Sequence, residues 1–195
     1  MINERGSTMV EVLGVVAIIG TLAMGVWHLI NDARYKYKLS VATLQIQGLA
    51  KNITRFYASE GNYDDLNTSG SVQKLSQSGV VPRSMQAGIG IIGHSFNGDV
   101  TLRGIGENFS ITFKNLSEKV CMELATLAWQ KTDKANLIFI KIGDDEYGWP
   151  IYNGVSEDEE DLSVSERYLP VSMTEAADSC ASSDNGLIDI EWTFR

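Results

Sequence analysis

The sequence predicts an α+β chain: one long N-terminal helix, of which the second half packs on an antiparallel β-sheet. Three observations predict it. Residues Met9–Ile30 form a nearly unbroken apolar run, MVEVLGVVAIIGTLAMGVWHLI. No proline precedes Pro82, and from Leu39 to Tyr57 apolar residues recur at helical spacing. Near the C-terminus Ile188, Ile190, Trp192 and Phe194 alternate with other residues, the period-two pattern of a half-buried strand.

The apolar run, about twenty residues, is long enough for a helix to cross a bilayer core of roughly 30 Å. It is not a plain secretory signal peptide, because it is too long and no small-residue cleavage site follows it. A single span tethering the chain to a membrane is expected. Glu11 lies inside the start of the run, where an unpaired carboxylate costs a few kcal/mol unless it snorkels to the headgroups. Gly14, Gly20 and Gly25 each weaken an isolated helix by about 1 kcal/mol relative to alanine, and they permit close helix packing. Trp27 and His28 sit where the membrane interface would lie, and His28 reads as an interfacial residue rather than a ligand.

Beyond the span the helix turns amphipathic. Leu39, Ala42, Thr43, Ile46, Leu49, Ala50, Ile53, Phe56 and Tyr57 share one face, and Lys38, Gln45, Lys51, Asn52 and Arg55 fall on the other. Gly61 and Asn62 supply a stop signal. One helix from about Thr8 to Ser59 is expected, roughly 80 Å long at 1.5 Å per residue. Its first half, apolar all round, needs lipid or other protein to cover it. Copies packed head to tail in a way that does not close on itself would generate a helical filament.

After Ser59 the composition shifts. Residues 61–93 are rich in Gly, Ser, Asn and Asp and read as a long connection with one short helix at Val72–Ser78. Two strands follow, Asp99–Ile105 and Asn108–Lys114, with turn chemistry at Phe96-Asn97-Gly98 and at Gly104-Ile105-Gly106. Ser117–Trp129 reads as a helix capped by Ser117, with Val120, Cys121, Leu124, Leu127 and Ala128 on one face. Leu137–Ile142 is a buried strand and Glu146–Tyr152 a weaker one. Thr174–Cys180 is a short helix with Thr174 as its cap, and Ile188–Phe194 is the last strand.

The 195 residues carry a net charge of −9, with 44% hydrophobic and 21% charged residues. That is globular composition. Without a basic stripe, no nucleic-acid partner is expected. Cys121 and Cys180 have neither zinc-ligand nor C-x-x-C spacing, so they are either two reduced core thiols or a disulfide in an oxidising compartment. No catalytic constellation is found: the chain has no G-x-S-x-G, no Walker loop and no H-E-x-x-H. His94 beside Ser95 reads as a solvated loop residue. The acidic run Ser156–Asp161 could offer oxygen ligands to calcium, but its spacing is not an EF-hand loop, and a solvated charged loop is the better reading. Asp144-Asp145-Glu146 reads the same way. No cofactor and no metal site is expected. The N-x-S/T triplets at Asn52, Asn67, Asn108 and Asn115 are compatible with glycosylation.

The segment Gly6-Ser7-Thr8-Met9-Val10-Glu11, after the polar leader MINER and ahead of the apolar helix, resembles the type III signal of type IV prepilins and pseudopilins. The resemblance implies cleavage between Gly6 and Ser7 by a membrane-embedded prepilin peptidase, with methylation of the new amine on Ser7. It also implies that the Glu11 carboxylate neutralises the N-terminal amine of a neighbouring subunit in the filament. Opposite charges about 4 Å apart attract far more strongly in such a low-dielectric setting than in water. Arg34, Lys36 and Lys38 follow the span while only Arg5 precedes it, which by the positive-inside rule favours the reverse orientation. The leader motif outweighs that count.

Later segments resemble type IVb pilins in particular. These are Arg55-Phe56-Tyr57 with Gly61-Asn62-Tyr63, the turn Phe96-Asn97-Gly98, Cys121-Met122-Glu123-Leu124-Ala125, and Met173 to Cys180. The leader is shorter than is usual in that branch. The resemblance implies a pilin fold: a cleaved leader at 1–6, a transmembrane and filament-core helix at 7–30, and a globular head at 31–195 closed by a Cys121–Cys180 disulfide. It implies a structural subunit, not an enzyme, held by one span in the inner membrane and then assembled into an extracellular filament. The partners implied are other copies of the chain, the prepilin peptidase, the assembly platform and membrane lipid. Two other readings stay open: a minor pilin or secretion pseudopilin, and a single-pass anchored binding domain that never polymerises.

Overall fold

The computed structural model describes residues 4–127, 129, 137–149, 167–181 and 186–195. Two units make up the chain, Met1–Lys38 and Leu39–Arg195. Helix α1 runs without interruption from Glu4 to Phe56.

In the second unit the buried stripe of α1 is Ala42, Gln45, Ile46, Leu49, Ala50, Ile53 and then Tyr57 just past its end. This is the expected 3.6-residue face, with two corrections. Gln45, expected on the polar face, is only 5% exposed. Its Oε1 accepts the Ser95 backbone N–H at 3.0 Å, which satisfies a buried amide. Phe56, expected in the core, is 44% exposed. The helix also stops three residues earlier than Ser59, and Gly61, with a left-handed φ of +73°, lies five residues past that end rather than at its cap.

The connection from Gly61 to Gly93 holds more structure than its composition suggests. It contains 3-10 turns at Asp64–Asn67 and Arg83–Met85, helix α2 at Ser71–Gln77, and two short strands, β1 (Gln86–Gly88) and β2 (Ile91–Gly93). Three-residue strands carrying glycine offer too little alternation to be read from a pattern. The remaining elements are β3 (Asp99–Ile105), β4 (Asn108–Ser117), α3 (Glu118–Ala125), β5 (Leu137–Ile142), β6 (Asp145–Gly148), α4 (Met173–Ala181) and β7 (Leu187–Phe194).

The strands form one seven-stranded sheet in the order β1-β2-β3-β4-β7-β5-β6, and each neighbouring pair is antiparallel. The last strand in sequence is thus internal, between β4 and β5. Trp192 of β7 stands opposite Ile111 on one side and Ile140 on the other, and all three are fully buried. Phe113 meets Trp192 edge-on with centroids 5.4 Å apart, and Trp129 lies 5.6 Å from it. Aromatic side chains of this size dominate core burial.

Three end-of-element expectations change. Helix α3 ends at Ala125, four residues short of Trp129, and Ser117 precedes it in extended geometry without a side-chain cap bond. Trp129 is nevertheless buried, its indole N–H donating to the Leu124 carbonyl. Helix α4 is capped by Ser172 rather than Thr174: the Glu175 N–H donates to Ser172 Oγ while the Ser172 N–H donates to Glu175 Oε2. That reciprocal pair is a capping box. Strand β6 starts at Asp145; its expected end at Tyr152, the expected helix position Ala128 and the acidic run 156–161 lie outside the described residues.

Residues 63–67 are strapped to β3. The Asn67 side chain donates to the Gly104 carbonyl at 2.9 Å and accepts the Gly104 N–H at 3.0 Å. The Tyr63 N–H donates to the Gly106 carbonyl. A methyl group on Gly104 would lie 1.8 Å from the Tyr63 carbonyl oxygen, a backbone atom that cannot rotate away. Gly104→Ala is therefore expected to lower stability by about 3 kcal/mol, read as a drop in the denaturation midpoint. Of the glycosylation triplets, Asn52 and Asn67 already commit their side-chain nitrogens to the Val80 and Gly104 carbonyls.

Candidate functional site: the apolar helix and the disulfide-closed face

Gly6, Ser7 and Glu11 all lie in α1. Positions 7 and 11 are four apart, so they share a face of that helix. Glu11 is exposed, and so are the apolar side chains that follow it, from Val12, Leu13 and Val16 through Ile18 and Ile19 to Trp27 and Leu29. The helix is long and apolar enough to cross a membrane, and none of its most apolar stretch is buried. Exposed large hydrophobes over such a length must be covered by something.

In the second unit Cys121 of α3 and Cys180 of α4 are bonded, with Cα atoms 5.9 Å apart and a sequence separation of 59. Both are buried, and α3 packs on α4 and on β7. The residue next to Cys180 anchors a polar clip that composition did not reveal. Ser179 Oγ donates to Asp145 Oδ2 at 2.5 Å and lies 2.7 Å from the Tyr147 hydroxyl. Asp145 Oδ1 forms an ion pair with Arg167, whose guanidinium also lies 5.6 Å from the centre of the Tyr147 ring. The clip ties α4 to β6 and to the strand-like bridge at Tyr168. Asp145, expected as part of a solvated acidic patch, is thus a structural carboxylate, while Asp144 and Glu146 are exposed.

Hydrogen bonds from Arg167 and then Ser179 hold the Asp145 carboxyl below its ordinary value of 3.8. The Ser172 capping bonds likewise lower that of Glu175. A carboxylate depressed on folding stabilises fully above its unfolded value, and that contribution is lost as pH falls through the folded one. Asp145→Asn should therefore flatten the acid limb of the stability curve below about pH 4, and at neutral pH cost about 1 kcal/mol. Thermal melts across pH check both.

His94 is another residue that sequence reading placed wrongly. It is 5% exposed and its ring stacks on Phe113 at 4.7 Å. Its Nε2 bonds the Lys114 carbonyl at 2.8 Å, and its Nδ1 accepts the Phe96 N–H at 3.2 Å. A histidine between β2 and β3 with both nitrogens engaged is a core residue, not a nucleophile's base. Among the described residues no group of three or more His, Cys, Asp or Glu is arranged to hold a metal ion.

Comparison with known proteins adds to this geometry. The family described as PilS N terminal matches residues 36–193. No curated protein matches the chain. A crystal structure of the type IVb pilin from Salmonella typhi aligns with a TM-score of 0.53 and 16% identity, over 80% of this chain and 97% of that one. The long helix, the antiparallel sheet and the match over most of the chain agree: this protein belongs to the PilS N-terminal family and has the fold of a type IVb pilin.

Proposed function

We propose that this chain is a filament-forming pilin, cut between Gly6 and Ser7 and assembled from the inner membrane into an extracellular helical fibre. The observation that carries it is the exposed apolar stretch of α1 with Glu11 near its start. A mere membrane anchor has no use for a carboxylate five residues past a cleavable glycine. Before assembly, lipid covers the stretch. In the fibre the helices of other copies cover it, and the Glu11 carboxylate pairs with the methylated Ser7 amine of a neighbour. The disulfide-closed unit forms the outer surface. The subunit performs no chemistry itself; it is the substrate of the prepilin peptidase and the cargo of the assembly platform. Glu11 favours a place in the shaft of the fibre.

The test is intact mass of the protein from membranes, with and without the peptidase, under non-reducing conditions. Loss of Met1–Gly6, a methyl on Ser7 and a mass short of two hydrogens support the reading. An uncut N-terminus in the presence of active peptidase sinks it.

A further inference from the structure

The turn from His94 to Gly98 joins three parts of the fold at one buried histidine. Within the turn, the His94 N–H donates to the Gly98 carbonyl and the Asn97 N–H to the His94 carbonyl. Asn97 takes a left-handed φ of 65°. Toward β4, the ring lies flat on Phe113 and Nε2 donates to the Lys114 carbonyl. Toward α1, the Ser95 N–H donates to the buried Gln45 Oε1. Gly98 closes the ring in: a methyl group there would stand 2.3 Å from Nε2 and 2.1 Å from the Lys114 carbonyl oxygen.

These contacts specify one protonation state. Nε2 faces an acceptor and must carry the hydrogen; Nδ1 faces the Phe96 N–H and must be bare. A second proton has only Nδ1 to occupy, and there it would oppose the Phe96 donor. The tight pack of Phe113 and Gly98 leaves the ring no alternative seat. We infer that the His94 turn is an acid-sensitive joint, which pins the β2–β3 turn to β4 and α1 while the ring is neutral and releases it when Nδ1 is protonated.

Burial sets the sign, against the charge nearest the ring. Asp99, at the start of β3, favours the protonated form. On the other elements packed against the turn, α1 presents the neutral amide of Gln45 and β4 the Phe113 ring and the Lys114 carbonyl. Burial is the largest influence and lowers the ring's pKa from its ordinary 6.5. The unfolded or opened turn therefore takes up a proton before the closed one does. The joint's contribution is complete above 6.5 and declines as pH falls below it. Opening would free the Ser95 N–H from Gln45, so the release reaches α1 through that hydrogen bond.

The experiment is amide hydrogen exchange on the full chain in detergent micelles, at about pH 7.5 and about pH 5, spanning the ordinary histidine range. Rates are corrected for intrinsic exchange and referenced to amides of the β4–β7 ladder. Protection of the Ser95 and Phe96 amides should fall about tenfold at the lower pH while the ladder holds, the loss of roughly one hydrogen bond's stabilisation. His94→Gln, which can still donate to the Lys114 carbonyl but does not titrate, should show no such fall. Equal protection at both pH values, or the same fall in His94→Gln, overturns the inference. Should His94→Gln not fold, the wild-type imidazole is titrated by NMR. Phe96 and Ser95 amide shifts that track protonation of Nδ1 support the joint, and protonation that leaves them unmoved overturns it.

Discussion

Filaments are expected to disappear when Glu11 is replaced by glutamine, while the unit from Leu39 onward stays folded. The change leaves size and helix propensity nearly intact, since Glu and Gln rank together as helix formers. Glu11 is exposed on α1 and far in sequence from every residue of the sheet, so removing its charge disturbs no contact of the core. Its proposed effect lies between copies. In a filament core of packed apolar helices, the Ser7 amine of an incoming subunit needs a carboxylate, and an unpaired ammonium in that setting is severely penalised. Association per subunit should weaken by about a hundredfold or more. Sheared filament yield by electron microscopy reads the loss, and an unchanged thermal melt of the processed subunit shows that folding is not its cause. Wild-type filament yield from Glu11→Gln would remove the charge-pairing role.

The second large effect comes from the disulfide. Exchanging Cys121 and Cys180 together for serine opens a loop spanning 59 positions. In the chain-entropy treatment, closing a loop of that size stabilises by about 4 kcal/mol. For a chain of this length that corresponds to a fall in melting temperature of roughly 8–16 °C. Helix α4 would then lose its covalent tie to α3 and keep the clip to β6: Ser179 on Asp145 and Tyr147, with Arg167 on the far side of the carboxylate. Adding Asp145→Asn to the serine pair should therefore destabilise by more than the sum of the separate changes, because both act on the same helix. Melting curves of the four combinations test it; strict additivity would mean that clip and disulfide hold α4 independently.

What could be read from sequence and what could not divide along a physical line. The long helix, its apolar start, the buried stripe from Ala42 to Tyr57 and the strand at Ile188–Phe194 rest on residues two to four apart, and such periodicities need no partner to be visible. The strands Asp99–Ile105 and Leu137–Ile142 were likewise legible to the residue. The capping box at Ser172 and Glu175 was written in the sequence too, as Ser-x-x-Glu, but Thr174 drew the assignment two residues along. The short strands β1 and β2 were not legible, because a sheet edge exists only by pairing with its neighbour.

The misplaced polar residues share one cause. Gln45 is buried because the Ser95 N–H, fifty positions away, supplies the partner its amide needs. His94 is buried because Lys114 and Phe113, on a strand beyond the next, receive its ring. Asp145 is structural because Ser179 and Arg167 converge on it from separate segments. Polar residues default to solvent in any sequence reading, since an unpaired polar group is costly to bury. By itself the sequence determined the helix, its apolar half, most strands and the pilin likeness, all local patterns. Only the tertiary structure decided the strand order with β7 internal and which polar groups found partners inside, because those depend on contacts between residues that are distant along the chain.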